Sequence, residues 1–225
     1  MLRRTELHQL FQHRDGHRLT LSAYYTLGGV KGALIQQAEY TYAALPSDQH
    51  RQMARILFLR LIDPGTNMLE TTGRRAAFSE LSLPDPQQTD IIRQVADVFI
   101  SARLLITNDI AGTKTIEVAN EVLIHEWTRL KAWINEARDD ILLQQAISED
   151  ANEWMQRGKS RDRLYRGSQL KEAQAWAKRN IPSEREVVFL QAGLVQGRTT
   201  RLLYFVIGTV IVILLILLLF LKGIV

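Results

Sequence analysis

Several residue pairs in this chain have spacings that could do chemistry, and each fails on its neighbours. His13 and His17 are four residues apart, which on one helix face would offer two imidazoles to a metal ion. Asp15-Gly16 between them breaks any such helix, so they read as a solvated loop. His125-Glu126 opens like the His-Glu-x-x-His pair of zinc proteases, but Arg129 stands where the second histidine belongs. Asp139-Asp140 and Glu149-Asp150 are adjacent carboxylates. Neighbours on a helix point to different sides, so neither pair makes an acid–base dyad. Phosphate chemistry would need Gly-x-x-x-x-Gly-Lys-[Ser/Thr], whose backbone N–H groups and lysine hold the phosphates. Gly28-Gly29-Val30-Lys31-Gly32 and Gly112-Thr113-Lys114 both miss that spacing. The expectation is a chain that is not itself an enzyme, binds no metal and holds no nucleotide alone.

Two further groups are reactive in type but ordinary in pattern. Trp127, Trp133, Trp154 and Trp176 are spaced like helix faces that pack on one another. Arg157, Lys159, Arg161, Arg163 and Arg166 form a basic cluster, readable as a solvated turn, an anionic-lipid contact or a nucleic-acid contact. The net charge of +4 over 225 residues does not by itself indicate nucleic acid. There are no cysteines, so disulfides and thiolate metal sites are excluded and a reducing compartment fits.

The elements that would position a site are mainly helical. Val30 to Ala44 steps by four on Val30, Leu34, Ala38 and Tyr42. Pro46 ends that helix and Ser47 can cap the next, whose apolar face holds Ile56, Leu57, Leu59 and Leu61. Asp63-Pro64-Gly65 closes it, and Met68 to Ala77 reads as a short strand or irregular segment. A helical turn follows over Phe78 to Leu83, then a break at Pro84-Asp85-Pro86 and a helix over Gln87 to Ala102 on Ile91, Val95, Val98, Phe99 and Ala102. Leu104 to Thr107 and Thr115 to Ala119 read as strands joined by the loop Asn108 to Gly112. This order predicts a winged helix-turn-helix over 46–123, with a small β-wing. Segments 1–45 and 124–195 flank it as helical regions. Two helices are expected at Trp127 to Ala137 and Ile141 to Met155, and another at Leu164 to Lys178. Ser183 and Glu186 form a capping box for the last one.

The most informative stretch runs from Thr115 to Leu130. Ile116 and Val118 alternate with polar or small residues, the period of a half-buried strand. Leu123, Trp127, Leu130 and Ile134 then recur at steps of three and four, the period of a helix. Asn120 sits at the switch, where its side chain can cap free backbone N–H groups, beside Glu121.

At the C-terminus, 196–201 reads as a polar linker and 202–221 as a transmembrane helix. Twenty uncharged residues include Leu202, Tyr204, Phe205, Leu214 and Leu221, with only Gly208 and Thr209 interrupting the large side chains. At ~1.5 Å per residue they would span roughly 30 Å, a bilayer's hydrocarbon thickness. Arg198, Arg201 and Lys222 flank the run. Met1-Leu2-Arg3-Arg4 leads into polar residues rather than a signal-peptide core. The reading is therefore a mainly α chain anchored by a single pass in a lipid bilayer, its soluble domain cytoplasmic.

The Thr115–Leu130 stretch, with Glu117-Val118-Ala119-Asn120-Glu121 and Leu123-Ile124-His125-Glu126-Trp127, resembles the "EVAHEALIREWPRL" signature that ends the winged-helix module of bacterial STAND NTPases, in particular the group called novel STAND NTPase 1. Arg18-Leu19-Thr20-Leu21 through Gly28-Gly29-Val30 resembles that group's "RLTLAAYEALGGV". Tyr42 to Pro46 resembles "YAALP", Leu57 to Leu61 with Pro64-Gly65 "LFLRLVxPG", and Leu164-Tyr165-Arg166-Gly167 with Leu170 "LxRGARL". These pieces keep the family's order over nearly all of residues 10 to 195. The resemblance implies a signalling ATPase held closed by ADP, in which a His-Asp pair at this corner senses nucleotide. Asn120 falls on that histidine and Glu121 on the acid. ADP or ATP would then reach this chain only through a P-loop NTPase domain, in cis or in trans, possibly within an oligomer. The expected function is a non-catalytic, membrane-anchored module that couples nucleotide state to an output. The alternatives are a membrane-anchored DNA-binding regulator or a membrane-disrupting effector. Asp90 and Asp97 beside Arg93 make the expected recognition helix a poor phosphate surface, so a nucleic-acid partner is not expected.

Overall fold

The computed structural model describes residues 29–67, 69–197 and 209. It is mainly helical with small sheets and divides into two compact units. One holds the described residues up to Ala146 together with Ile181–Glu184; the other holds Ile147–Asn180 and those from Arg185 on.

The first unit opens with α1 (Gly29–Ala43), which buries Ala33, Ala38 and Thr41. α2 (Asp48–Arg60) starts where the sequence places its cap: the Ser47 hydroxyl accepts a hydrogen bond from the His50 N–H at 3.4 Å. Asp48 in the first turn and Arg60 in the last complement the helix dipole. α2 buries Met53, Ala54, Leu57 and Phe58. It ends at Arg60, before the expected Asp63-Pro64-Gly65 stop, because Ile62 and Asp63 leave it to form a strand.

β1 (Ile62–Asp63) pairs antiparallel with β2 (Thr72–Gly73). β3 (Ala76–Ala77), a 3-10 turn (Phe78–Leu81) and α3 (Pro86–Ser101) follow. The Asp85 carboxylate caps α3 by accepting from Gln87 N–H at 2.9 Å, and Pro86 fills the first helical position, where no donor is needed. The break expected at Pro84-Asp85-Pro86 is thus itself the helix start. α3 buries Ile91, Ile92, Val95, Ala96 and Phe99. Val98, expected on the apolar face, is 43% exposed, and Ile92 and Ala96 complete that face instead.

β4 (Leu105–Ile110) and β5 (Thr113–Val118) form a hairpin in register from Leu105↔Val118 to Ile110↔Thr113. Its connection is the two-residue turn Ala111-Gly112, both with positive φ, rather than the five-residue loop expected. β3 adds to the far side of β5, giving the antiparallel order β3-β5-β4. The core joins the sheet to the helices through Phe58, Phe99, Leu104, Ile116, Leu123, Leu130 and Ile134.

α4 (Val122–Glu126) is one short turn, and α5 (Thr128–Gln156) then runs for 29 residues without a break. The sequence suggested two helices divided near Arg138-Asp139-Asp140. The charged triplet does not interrupt the helix. Asp139 points to solvent, and Arg138 reaches away to donate to the carbonyls of Pro64 at 2.6 Å and Gly65 at 3.3 Å.

The second unit takes the end of α5 from Ile147, a 3-10 turn (Arg161–Arg163), α6 (Gly167–Arg179) and α7 over 184–197. Trp154, Tyr165 and Phe189 form its aromatic centre, with ring centroids 5.6 Å and 4.9 Å from Phe189. α6 begins at Gly167, three residues later than expected, since Leu164 and Tyr165 are drawn into this core in extended backbone. α7 follows Ser183 directly, and Ser183 and Glu186 are both buried.

The expectation of a transmembrane helix is corrected. Among the described residues no helix is long and apolar enough to cross a membrane. The longest, α5, carries charged residues along its length, from Arg129 to Glu153. The apolar run 202–221, with Leu202, Tyr204, Phe205, Leu214 and Leu221, lies outside the described residues except for Thr209, as do Arg198, Arg201 and Lys222. The fold stands as helical with small sheets. The single-pass localisation and the lipid-bilayer partner are accordingly withdrawn.

Candidate functional site

The corner between β5 and α4 is built by a continuous relay of backbone hydrogen bonds. Ala119 N–H still donates to the Leu104 carbonyl at 2.9 Å, extending the strand ladder by one residue. The Asn120 side-chain oxygen then accepts from Val122 N–H at 2.9 Å, and its carbonyl accepts from Leu123 N–H at 3.1 Å. Asn120 is the cap that the change of period implied. It is half-buried and Glu121 is exposed, so the two stand side by side on an open corner. The corner alone is no phosphate cradle: the Asn120 oxygen is occupied, and the Glu121 carboxylate repels anions.

Immediately after the corner lies a cleft of about 510 Å³ lined by Ile35, Glu39, Trp127, Arg129, Trp133 and Glu136, among others. Trp127 separates α4 from α5, its ψ of 102° turning the chain between them. Its ring remains buried, packed edge-on against Phe58 at 5.2 Å, Trp133 at 5.7 Å and Tyr42 at 6.4 Å between centroids. The Trp127 indole N–H donates to Glu39 Oε2 at 2.8 Å. The Arg129 guanidinium forks onto the same carboxylate, with Nε 3.1 Å from Oε2, and stacks over Tyr42 at 4.2 Å. Glu39 therefore ties α1 to the start of α5.

The hydrogen bond from Arg129 is the main reason the Glu39 carboxyl sits below its ordinary value, with the Trp127 bond adding to it against a desolvation cost. Arg129 is shifted upward by the same hydrogen bond. A lowered folded pKa gives stability that is complete above the ordinary glutamate value of 4.5 and lost as pH falls through the lowered one. Urea midpoints of the native chain and of Glu39→Gln should differ at neutral pH and converge as the solution is acidified below that value. Both side chains are more than a third exposed, so the difference is a modest one. A gap that persists unchanged into acid would show that the carboxylate charge is not what matters.

The other candidates resolve into structure. His125 is half-buried and Arg129 is committed to Glu39, so no zinc pair forms. Among the described residues no group of three or more His, Cys, Asp or Glu could hold a metal ion. His13 and His17 lie outside them. All four tryptophans are buried. Asp150 accepts a hydrogen bond from the Tyr165 hydroxyl at 2.5 Å, and burial first, then this bond, pushes the phenol far above its ordinary value. Arg157, Lys159, Arg161, Arg163 and Arg166 are all exposed. The sequence gave no sign of Glu39 as a partner of Trp127 and Arg129, which are 88 and 90 residues away.

The family model described as Novel STAND NTPase 1 matches residues 2–162. The match spans well over half of the chain, takes in the Asn120 corner and the Glu39–Arg129 pair, and makes the chain a member of that family. It is a STAND NTPase-related module. No curated protein and no solved structure matches it.

Proposed function

We propose that this chain is a non-catalytic regulatory module that docks on a P-loop NTPase domain, in cis or in trans, and carries its nucleotide state onward through α5. The observation that carries this reading is the family match, which includes the exposed corner of Asn120 and Glu121. α2, β3, the 3-10 turn, α3 and the β4–β5 hairpin, with sheet order β3-β5-β4, have the order of a winged helix and support that assignment for this part of the chain. ADP or ATP is then held by the NTPase domain. Glu121 is the exposed acid at the docking corner, and Asn120 fixes that corner's shape.

The test is direct binding of the full chain to a purified P-loop domain of this family, with ADP and then ATP present. The expected result is a complex whose affinity differs at least about tenfold between the two, a coupling of about 1.4 kcal/mol. Glu121→Ala should shrink that ratio without changing stability. Asn120→Ala should lower stability by about 1 kcal/mol through loss of the cap, and Asn120→Ser should keep most of it. Absence of a complex with either nucleotide, or ATP hydrolysis by this chain alone, refutes the proposal.

A further inference from the structure

The segment 157–171 concentrates the charge of the whole chain. Arg157, Lys159, Arg161, Arg163, Arg166 and Lys171 stand against one carboxylate, Asp162, a local charge of +5. The chain as a whole carries +4, so everything outside this segment sums to −1. The modest overall charge therefore conceals a strongly cationic patch.

The patch is held in place from beneath. Gly158 and Lys159 both adopt left-handed φ, turning the chain off the end of α5, and Lys159 N–H closes the turn on the Trp154 carbonyl at 2.9 Å. The Trp154 indole donates to the Ser160 carbonyl at 3.1 Å. Arg166 Nη2 donates to the Arg161 carbonyl at 3.0 Å, and Arg163 to Glu153 at 2.8 Å. The cations sit on a loop already ordered, so little conformational freedom is lost when an anion binds.

The side chains left outside decide what kind of anion fits. The apolar members of the segment, Leu164, Tyr165 and Leu170, are all buried. Every exposed side chain is cationic or a hydroxyl, amide or carboxylate group: besides the cations and Asp162, only Ser160, Ser168 and Gln169. A protein partner would want an aromatic or aliphatic anchor, and a bilayer surface would want apolar side chains to insert. Neither is present here. Arginines with hydroxyl and amide donors suit the hydrated phosphodiester backbone, which arginine grips bidentately.

We propose that the 157–171 loop binds the phosphate backbone of nucleic acid without sequence preference. Arg157 and Arg163 are engaged with Glu153, at 3.0 and 2.8 Å. Lys159, Arg161, Arg166 and Lys171 do most of the neutralising. Arg166 is only loosely paired with Asp162, at 3.8 Å.

The test is binding of the full chain to random-sequence duplex DNA and to single-stranded RNA over a salt series. Four phosphate contacts on a duplex give a log–log slope of about −3.6, or roughly 150-fold weaker binding between 50 and 200 mM salt. Lys159→Gln, Arg161→Gln and Lys171→Gln together should bring the slope to about −1 while leaving the circular-dichroism spectrum and thermal midpoint unchanged, since none of these side chains donates a hydrogen bond among the described residues. Arg161→Lys, which keeps the charge, should keep the slope. Arg93→Gln with Arg103→Gln, in the other unit, should change nothing. The proposal is overturned by no binding at low salt, by binding indifferent to salt, by binding lost in the Arg93/Arg103 variant, or by binding to phosphatidylserine vesicles but not to nucleic acid.

Discussion

Trp127→Ala should cost about 3–5 kcal/mol, the loss typical of removing a fully buried indole. Trp127 is 1% exposed and joins Phe58, Tyr42 and Trp133 in one edge-to-face cluster. Its indole also supplies one of the hydrogen bonds that hold Glu39. The substitution thus opens a cavity at the joint between α4 and α5 and loosens α1 together with it. Trp127→Phe separates the two contributions. It retains most of the packing and loses the N–H, so about 1–2 kcal/mol should go with it. Urea denaturation followed by far-UV circular dichroism measures both, with an unchanged m-value indicating that stability alone has moved. A loss below about 1 kcal/mol for the alanine variant would mean that the neighbouring rings close the gap and that Trp127 is not the keystone of this cluster.

Glu80→Ala should cost a similar amount, about 3–5 kcal/mol, by a different route. Glu80 accepts two bonds from Arg74, at 2.9 and 3.2 Å, and reaches back to the Ala77 N–H at 3.1 Å. Arg74 in turn donates to the Arg60 carbonyl at 3.0 Å. The pair is 18% and 5% exposed, far from the surface regime in which ion pairs contribute little. Removing the acid leaves a guanidinium with little access to water and a 3-10 turn without its cap. The double variant Arg74→Met with Glu80→Leu should recover most of the loss, because an apolar pair of similar volume needs no partner. A single variant that costs no more than a surface pair, or a double variant no better than Glu80→Ala, would show that desolvation is not the controlling term.

Local signals in the sequence were read correctly where the physics is local. Ser47 and Asn120 were legible as caps because capping is decided within three residues. The α3 face was legible from its period, apart from Val98, whose apolar side chain says nothing of the direction the helix turns it. The single α5 was not legible, since Arg138-Asp139-Asp140 reads as a break until Arg138 is seen to reach the Pro64 carbonyl. The tight Ala111-Gly112 turn was missed because alanine gives no hint of a positive φ. Glu39, Arg74 and Glu80 were invisible as site and core residues: their partners lie elsewhere in the chain or under the surface, and a charged residue reads as solvated by default. The transmembrane reading came from composition alone, and no described helix has that character.

The hairpin turn has a consequence for how the wing assembles. Ala111 is held at φ 50°, a conformation that costs an L-residue with a Cβ about 1–2 kcal/mol. The residues around it, from Asn108 to Lys114, are exposed, whereas Leu105 and Ile116 at the other end of the ladder are buried. A hairpin with a strained tip and an apolar root has no reason to nucleate at its turn. It closes from the root upward, once Leu105 and Ile116 have found the core, and the turn is formed last, as the point where the two strands finally meet.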